Sequence, residues 1–211
     1  MNDAVYILIL LLQIAQSPIG KCDPVDGPAL QFTQAERRAV RQRIRRACEA
    51  TGAAPIVCAY HDAVTVRESS GRSSVRHVRG KGENGVGPQG LSIVSHADKW
   101  PGPADPDFCV PEVSFVVTHE IVHKAVTRYG ARNLWDVQAV FAGRFGCVGD
   151  GSAGTCTNVQ QDKTTSAICG RMEARGFDCY APIGRRELGQ RIAKRDRAAW
   201  VLRQRFGGRH D

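Results

Sequence analysis

Val40, Ile44 and Cys48 recur at four-residue spacing, with arginines filling most positions between them. That spacing puts the apolar residues on one face of a helix and the charges on the others. Thr33 followed by Glu36 matches a capping box, and Gly52 supplies a stop, so the pattern predicts a first amphipathic helix between them. Pro55 suits the first turn of a second helix, and the run IVCAYHDAVTV behind it is apolar enough to be buried. Its β-branched residues would also permit a strand. Ser69-Ser70-Gly71 ends this element and leaves Glu68 in its last turn. From Arg72 to Gly90, glycines at 80, 82, 85, 87 and 90 exclude a regular helix and predict turns with a small hairpin. WPGPADPDFCVP (100–111) is a breaker-rich loop. A long helix is expected from Pro111 to Gly130, with Phe115, His119, Val122, Val126 and Tyr129 along one stripe. Asn133 to Gly143 reads as a further helix, and a short one is expected around Ala167 to Arg175. A basic helix from Arg186 to Phe206, anchored by Leu188, Ile192, Trp200 and Leu202, closes the chain. No internal repeat interrupts this order, and the fold class it predicts is mainly α.

Length and composition refine the picture. A chain of 211 residues suits one domain with a sizeable core, and 42% hydrophobic with 24% charged residues is ordinary for a globular protein. The apolar run from Ala4 to Leu12 falls short of the roughly 20 residues a membrane span needs. It has the length of an export-signal core, followed by small and polar residues near Ala15 to Gly20, although Asp3 and no Lys or Arg precede it. The expected division is a signal over residues 1–20, a Pro/Gly/Asp-rich linker over 21–32 and a helical domain over 33–206. Lys21 before Cys22 argues against a lipoprotein site. Eight cysteines, an even number with no Cys-x-x-Cys pair, predict disulfides in an oxidising compartment. Their connectivity is open; Cys147 with Cys156 and Cys169 with Cys179 are local pairings. The expected location is the periplasm, the cell envelope or the outside. The net charge of +8 favours anionic partners, but it is spread over helix faces, so no nucleic-acid partner is expected. No cofactor and no stable membrane span are expected, and the chain is read as a monomer.

Two stretches carry candidate chemistry. Glu68 ends an apolar element and faces a glycine-rich segment that closes on Gly87-Pro88-Gln89-Gly90-Leu91. Breaking a glycosidic bond needs an acid on the leaving oxygen, and a Glu serves near neutral pH only when an apolar setting raises its pKa. Glycine-rich backbone beside it would let a sugar chain approach main-chain groups closely. This order resembles the lytic transglycosylase family, whose domain is lysozyme-like. Glu68-Ser69 matches its helix-ending Glu-Ser, and residues 87–91 match its Gly-x-x-Gly-Leu. Asp105-Pro106 begins a segment like the family's Asp-Pro stretch, and Ala139 to Gly143 stands at its Tyr-Asn-Ala-Gly block. The likeness covers roughly residues 55 to 145. It implies cleavage of peptidoglycan glycan strands, with Glu68 as acid and then base and the substrate's own 2-acetamido or 6-hydroxyl group in place of a second carboxylate. It also implies substrate contacts from Ser69, Gly87, Gln89, Gly90, Leu91 and Phe141. This chain departs from the family at Ser92-Ile93, where Met-Gln is usual, and at Val140-Phe141, where the Tyr-Asn hydroxyl is absent.

The alternative is His119-Glu120-Ile121-Val122-His123, an HExxH pattern. Histidines at i and i+4 share a helix face and would bind zinc, with the intervening Glu activating water. Lys124 follows the second His, and Val126 and Tyr129 replace the Gly and third His of the extended motif. Asp136, Asp150 and Glu173 are the downstream carboxylates available as a third ligand. A second alternative is a basic, disulfide-bonded module that binds cell wall without cutting it. His61, His77, His96 and His210 show no pairing in the sequence and read as surface or packing residues.

Overall fold

The structure, a computed structural model, describes residues 17–24, 28–74, 76–79, 83–92, 107–142, 145–148 and 163–206. Six α-helices fall within them: α1 Gln34–Glu49, α2 Pro55–Ser69, α3 Pro111–Arg128, α4 Leu134–Phe141, α5 Lys163–Glu173 and α6 Arg197–Phe206. Between α2 and α3 lies an antiparallel sheet of β1 Arg76–Arg79, β2 Glu83–Val86 and β3 Leu91–Ser92, in that order. The fold is therefore mainly helical with a small hairpin region, as the hydrophobic pattern predicts.

The helix boundaries follow local chemistry. Thr33 Oγ1 accepts from the Glu36 amide at 3.2 Å while Glu36 Oε2 accepts from the Thr33 amide at 2.8 Å, so two of the donors left open at the start of α1 are satisfied. Proline opens both α2 and α3, where a missing N–H costs nothing. Asn133 caps α4 by accepting from the Asp136 amide at 2.9 Å. Helix α2 takes the helical alternative its β-branched residues had left open, and is buried on nearly every face.

Helix α3 forms the centre. Every residue from Pro111 to His123 is buried, and the helix packs against α1, α4 and α6, while α2 packs against α1 and α5. All-round burial explains why its apolar positions exceed a single stripe. Phe115 stacks on Trp200 of α6 at 5.8 Å between ring centroids, fixing the last helix to the core. Buried acids tie the same helices together through arginines. Glu112 of α3 takes a fork from Arg43 of α1, with Nε to Oε1 at 2.7 Å.

Three disulfides cross-link the described residues: Cys22–Cys109, Cys48–Cys58 and Cys169–Cys179. The last is one of the two pairings expected from the sequence; Cys156, which the other requires, lies outside the described residues. The segment before α1 is fastened to the body, with the Gly20 amide donating to Ser73 Oγ at 2.9 Å and the Asp23 amide to the Ser74 carbonyl at 2.7 Å. The run from Ala4 to Leu12 lies outside the described residues, and among those described no helix is long and apolar enough to cross a membrane.

The end of the chain departs from expectation. The continuous helix predicted from Arg186 to Phe206 is only α6, preceded by a 3-10 turn at Lys194–Asp196 and irregular backbone. The Ala54 amide donates to the Glu187 carbonyl at 2.8 Å and the Gln190 amide to the Thr51 carbonyl at 2.6 Å, so this segment pairs with the α1–α2 connection. Leu188 and Ile192 are anchors as expected, but from irregular backbone; Leu202 is 55% exposed, and Val201 beside it packs inward. The short helix expected around Ala167 starts earlier, at Lys163.

Candidate active site

Glu68 stands in the last turn of α2, half-exposed, where the chain leaves the helix through Ser70 in the left-handed region at φ 55°. The turn joining β2 to β3 comes back over it. At Gly90 (φ +64°) a Cβ would lie 2.9 Å from Glu68 Oε2 and 3.2 Å from its Cβ and Cγ. Only glycine combines that backbone conformation with that proximity to a carboxylate. At Gly87 (φ +77°) a Cβ would fall 1.9 Å from the Phe108 carbonyl oxygen, so the other end of the turn lies flat on the chain entering α3.

Between these glycines Gln89 is fully buried and clamps the turn to α2 a second time. Its Nε2 donates to the His61 carbonyl at 3.2 Å and lies 3.1 Å from His61 Nδ1. His61 and Glu68 are seven residues apart, two turns along one helix face. His61 Nε2 in turn lies 3.3 Å from His119 Nδ1 on α3, and the His119 ring meets His123 edge to face at 4.7 Å. One consistent proton assignment runs from Gln89 N–H to His61 Nδ1, then from His61 Nε2–H to His119 Nδ1. Burial pushes all three rings below the usual histidine range, with His119 lowered to about 3, so they are neutral near pH 7. The Gln190 backbone pulls His119 upward, but its Nε2 has no partner in hydrogen-bonding geometry and burial prevails. His123 Nε2 is likewise buried without a partner.

The residues singled out in the sequence thus fall into different settings. Glu68, Gly87, Gln89 and Gly90 are brought together. Leu91 is fully buried in the core beneath the turn. Ser69 is buried, its hydroxyl donating back to the Thr65 carbonyl at 2.8 Å. Phe141 ends α4 half-buried against the core. Its helix reaches α2 through the buried Tyr60, whose hydroxyl donates to Gln138 Oε1 at 2.7 Å. Burial, and then the charge of Glu68, push the Tyr60 hydroxyl well above its ordinary range.

In the HExxH segment the acid is engaged by cations. Glu120 takes a fork from Arg191, with Nε to Oε2 at 2.8 Å, and stands 3.4 Å from Arg197 and 3.6 Å from Lys124. Burial pushes its carboxyl up, but these three cations outweigh it and hold it below its usual range. Among the described residues, the one set of three ligand atoms within 4.8 Å of each other is Cys22, Asp107 and Cys109, and its cysteines form a disulfide. His61, His119 and His123 do not converge that closely.

Sequence reasoning missed the pairing of His61. It lies 58 residues from His119 with no motif between them, and only its place inside an apolar run hinted at burial. His96 and His210 lie outside the described residues. Comparison with protein-family models, with curated proteins and with solved structures finds no match.

Proposed function

We propose that this chain cleaves peptidoglycan glycan strands between N-acetylmuramic acid and N-acetylglucosamine, with Glu68 as the single acid and base. The observation that carries the reading is the half-exposed Glu68 at the end of a buried helix, held against the Gly90 backbone. Support also comes from the order of elements: a helix ending in Glu, a three-stranded hairpin region, then a helix buried on all sides. The resemblance has a helix-ending Glu-Ser followed by Gly-x-x-Gly-Leu, and Glu68-Ser69 and residues 87–91 stand in that order.

In this mechanism Glu68 protonates the glycosidic oxygen as the bond to the sugar lengthens, and the substrate's acetamido or 6-hydroxyl group meets the developing positive charge. The resulting carboxylate then accepts the proton of the attacking hydroxyl. The partly exposed Gly90 backbone is the part of the turn that meets sugar, while the buried Gly87, Gln89 and Leu91 fix the turn's position. Ser69 secures the helix end, and Phe141 packs against the core. Three disulfides and the absence of a spanning helix among the described residues suit export to the envelope or beyond.

Release of soluble fragments from purified peptidoglycan tests the proposal, using the wild type and Glu68→Gln with and without a chelator. The expected result is release that the substitution abolishes and the chelator leaves unchanged, with 1,6-anhydro ends visible by mass. Chelator-sensitive release surviving Glu68→Gln would move the chemistry to His119, Glu120 and His123. Wild-type protein that binds the wall without releasing fragments would make the chain a binding module.

A further inference from the structure

Asp62 is only 1% exposed, on the part of α2 that packs against α1 and α5. Arg41 meets it as a fork, Nε to Oδ1 at 2.8 Å and Nη2 to Oδ2 at 2.7 Å. That fork engages both carboxylate oxygens and balances the charge. Arg175 also donates to Oδ2, and Arg45 stands 4.0 Å from the same atom. Burial pushes Asp62 up, but Arg41 and Arg175 outweigh it, so the carboxylate stays ionised at the centre of the cluster. One negative charge therefore organises three guanidiniums, two more than its neutralisation requires.

These guanidiniums keep part of their surface open, with side chains 33%, 48% and 33% exposed for Arg41, Arg45 and Arg175. A depression of about 220 Å³ opens beside them, lined by Arg41, Arg171 and Arg175 with Asp62. A neighbouring one of about 360 Å³ shares Arg175 and adds Arg45, but also Glu49. Arg171 stands in the last turn of α5 and Arg175 in the turn that follows it, and both line the same hollow. Like charges gathered in a concavity repel, and the field they focus there draws in a counter-charge.

The geometry points to an oxyanion site in the smaller depression, where Arg41, Arg171 and Arg175 bind a phosphate group. Three cations against one carboxylate leave a surplus that a phosphate's double charge matches better than a carboxylate does. The guanidinium of Arg171, with the donors that Arg41 and Arg175 do not use on Asp62, suits its tetrahedral oxygens. Asp62 positions the forks before the ligand arrives. The site does not use Glu68 and stands apart from the glycosidase reading.

Calorimetric titration of the full chain with inorganic phosphate, pyrophosphate and glucose 1-phosphate, at constant ionic strength, tests the site. Saturable one-to-one binding is expected. Loss of a charge-assisted hydrogen bond should weaken it by about tenfold or more in Arg171→Gln, an exposed residue whose change leaves the Asp62 cluster intact. Arg171→Gln with Arg175→Gln should abolish it. The control Arg185→Gln with Arg186→Gln removes the same charge from exposed positions elsewhere and should leave binding unchanged. Pyrophosphate binding more tightly than phosphate identifies a diphosphate occupant; equal affinities for all three identify a single phosphate group, free or carried. No saturable binding of any probe, or equal weakening by the control pair, would overturn the site.

Discussion

Gly90 is where a single methyl group separates backbone strain from damage to the candidate acid. At φ +64° an alanine costs about 1–2 kcal/mol from the left-handed conformation alone. Gly176→Ala carries the same conformational cost at φ +81°, with nothing within 4 Å of the added carbon. Both variants should therefore lose stability in urea denaturation, but only Gly90→Ala should also lose fragment release, because its methyl displaces Glu68. Equal activity in the two would show that the Gly90 contact does not hold Glu68 in its working position. The partnership of Glu68 with the turn was legible in the sequence because an acid at a helix end and a glycine-spaced turn both leave local marks. The clamp by Gln89 was not, since a fully buried glutamine looks like any polar loop residue until His61 is seen beneath it.

At the scale of elements, the ion pair between α1 and α3 is asymmetric. Glu112 is 3% exposed while Arg43 is 25% exposed. Removing the arginine strands a buried carboxylate, whereas removing the acid leaves a guanidinium that water still reaches. Arg43→Met should thus cost more than Glu112→Gln, approaching the roughly 3–5 kcal/mol of a broken buried pair. Denaturant midpoints in the opposite order would mean that water already solvates Glu112. Thr33→Ala should cost about 0.5–2 kcal/mol through the lost cap. The starts of α1, α2, α3 and α4 were readable because caps and helix-opening prolines act within one turn. The final helix was misread because Leu188 and Ile192 have helical spacing, while long-range pairing to Thr51 and Ala54 decides the backbone. Gly189, at φ +70° with Ala53 N only 2.4 Å from a Cβ position, is the one local sign of that pairing.

Across the whole molecule, the buried histidines make stability depend on pH. His61, His119 and His123 are all lowered by burial, so the folded chain keeps them neutral. In the unfolded chain each titrates near about 6.5. Above that value neither state binds the proton, and these rings add no pH dependence. Below it the unfolded chain gains protons that the folded chain refuses, so stability falls as pH falls. For His119 the slope reaches about 1.4 kcal/mol per pH unit and persists down to the folded value of about 3, and His61 and His123 add to it in the same direction. Asp62 and Glu120, both held low by arginines, lose their contribution in the same direction, but only below the unfolded carboxylate range of about 4. The interval from about pH 6.5 to 5 is therefore where the histidines dominate, before Asp107, raised by burial, adds an opposite trend. Urea midpoints at pH 7.5, 6.0 and 5.0 should fall steadily for the wild type and less steeply for His119→Asn, which removes one of the three titrations. A flat profile across that interval would mean that the rings accept protons in the folded state, and with them that the chain of Gln89, His61 and His119 is open to water.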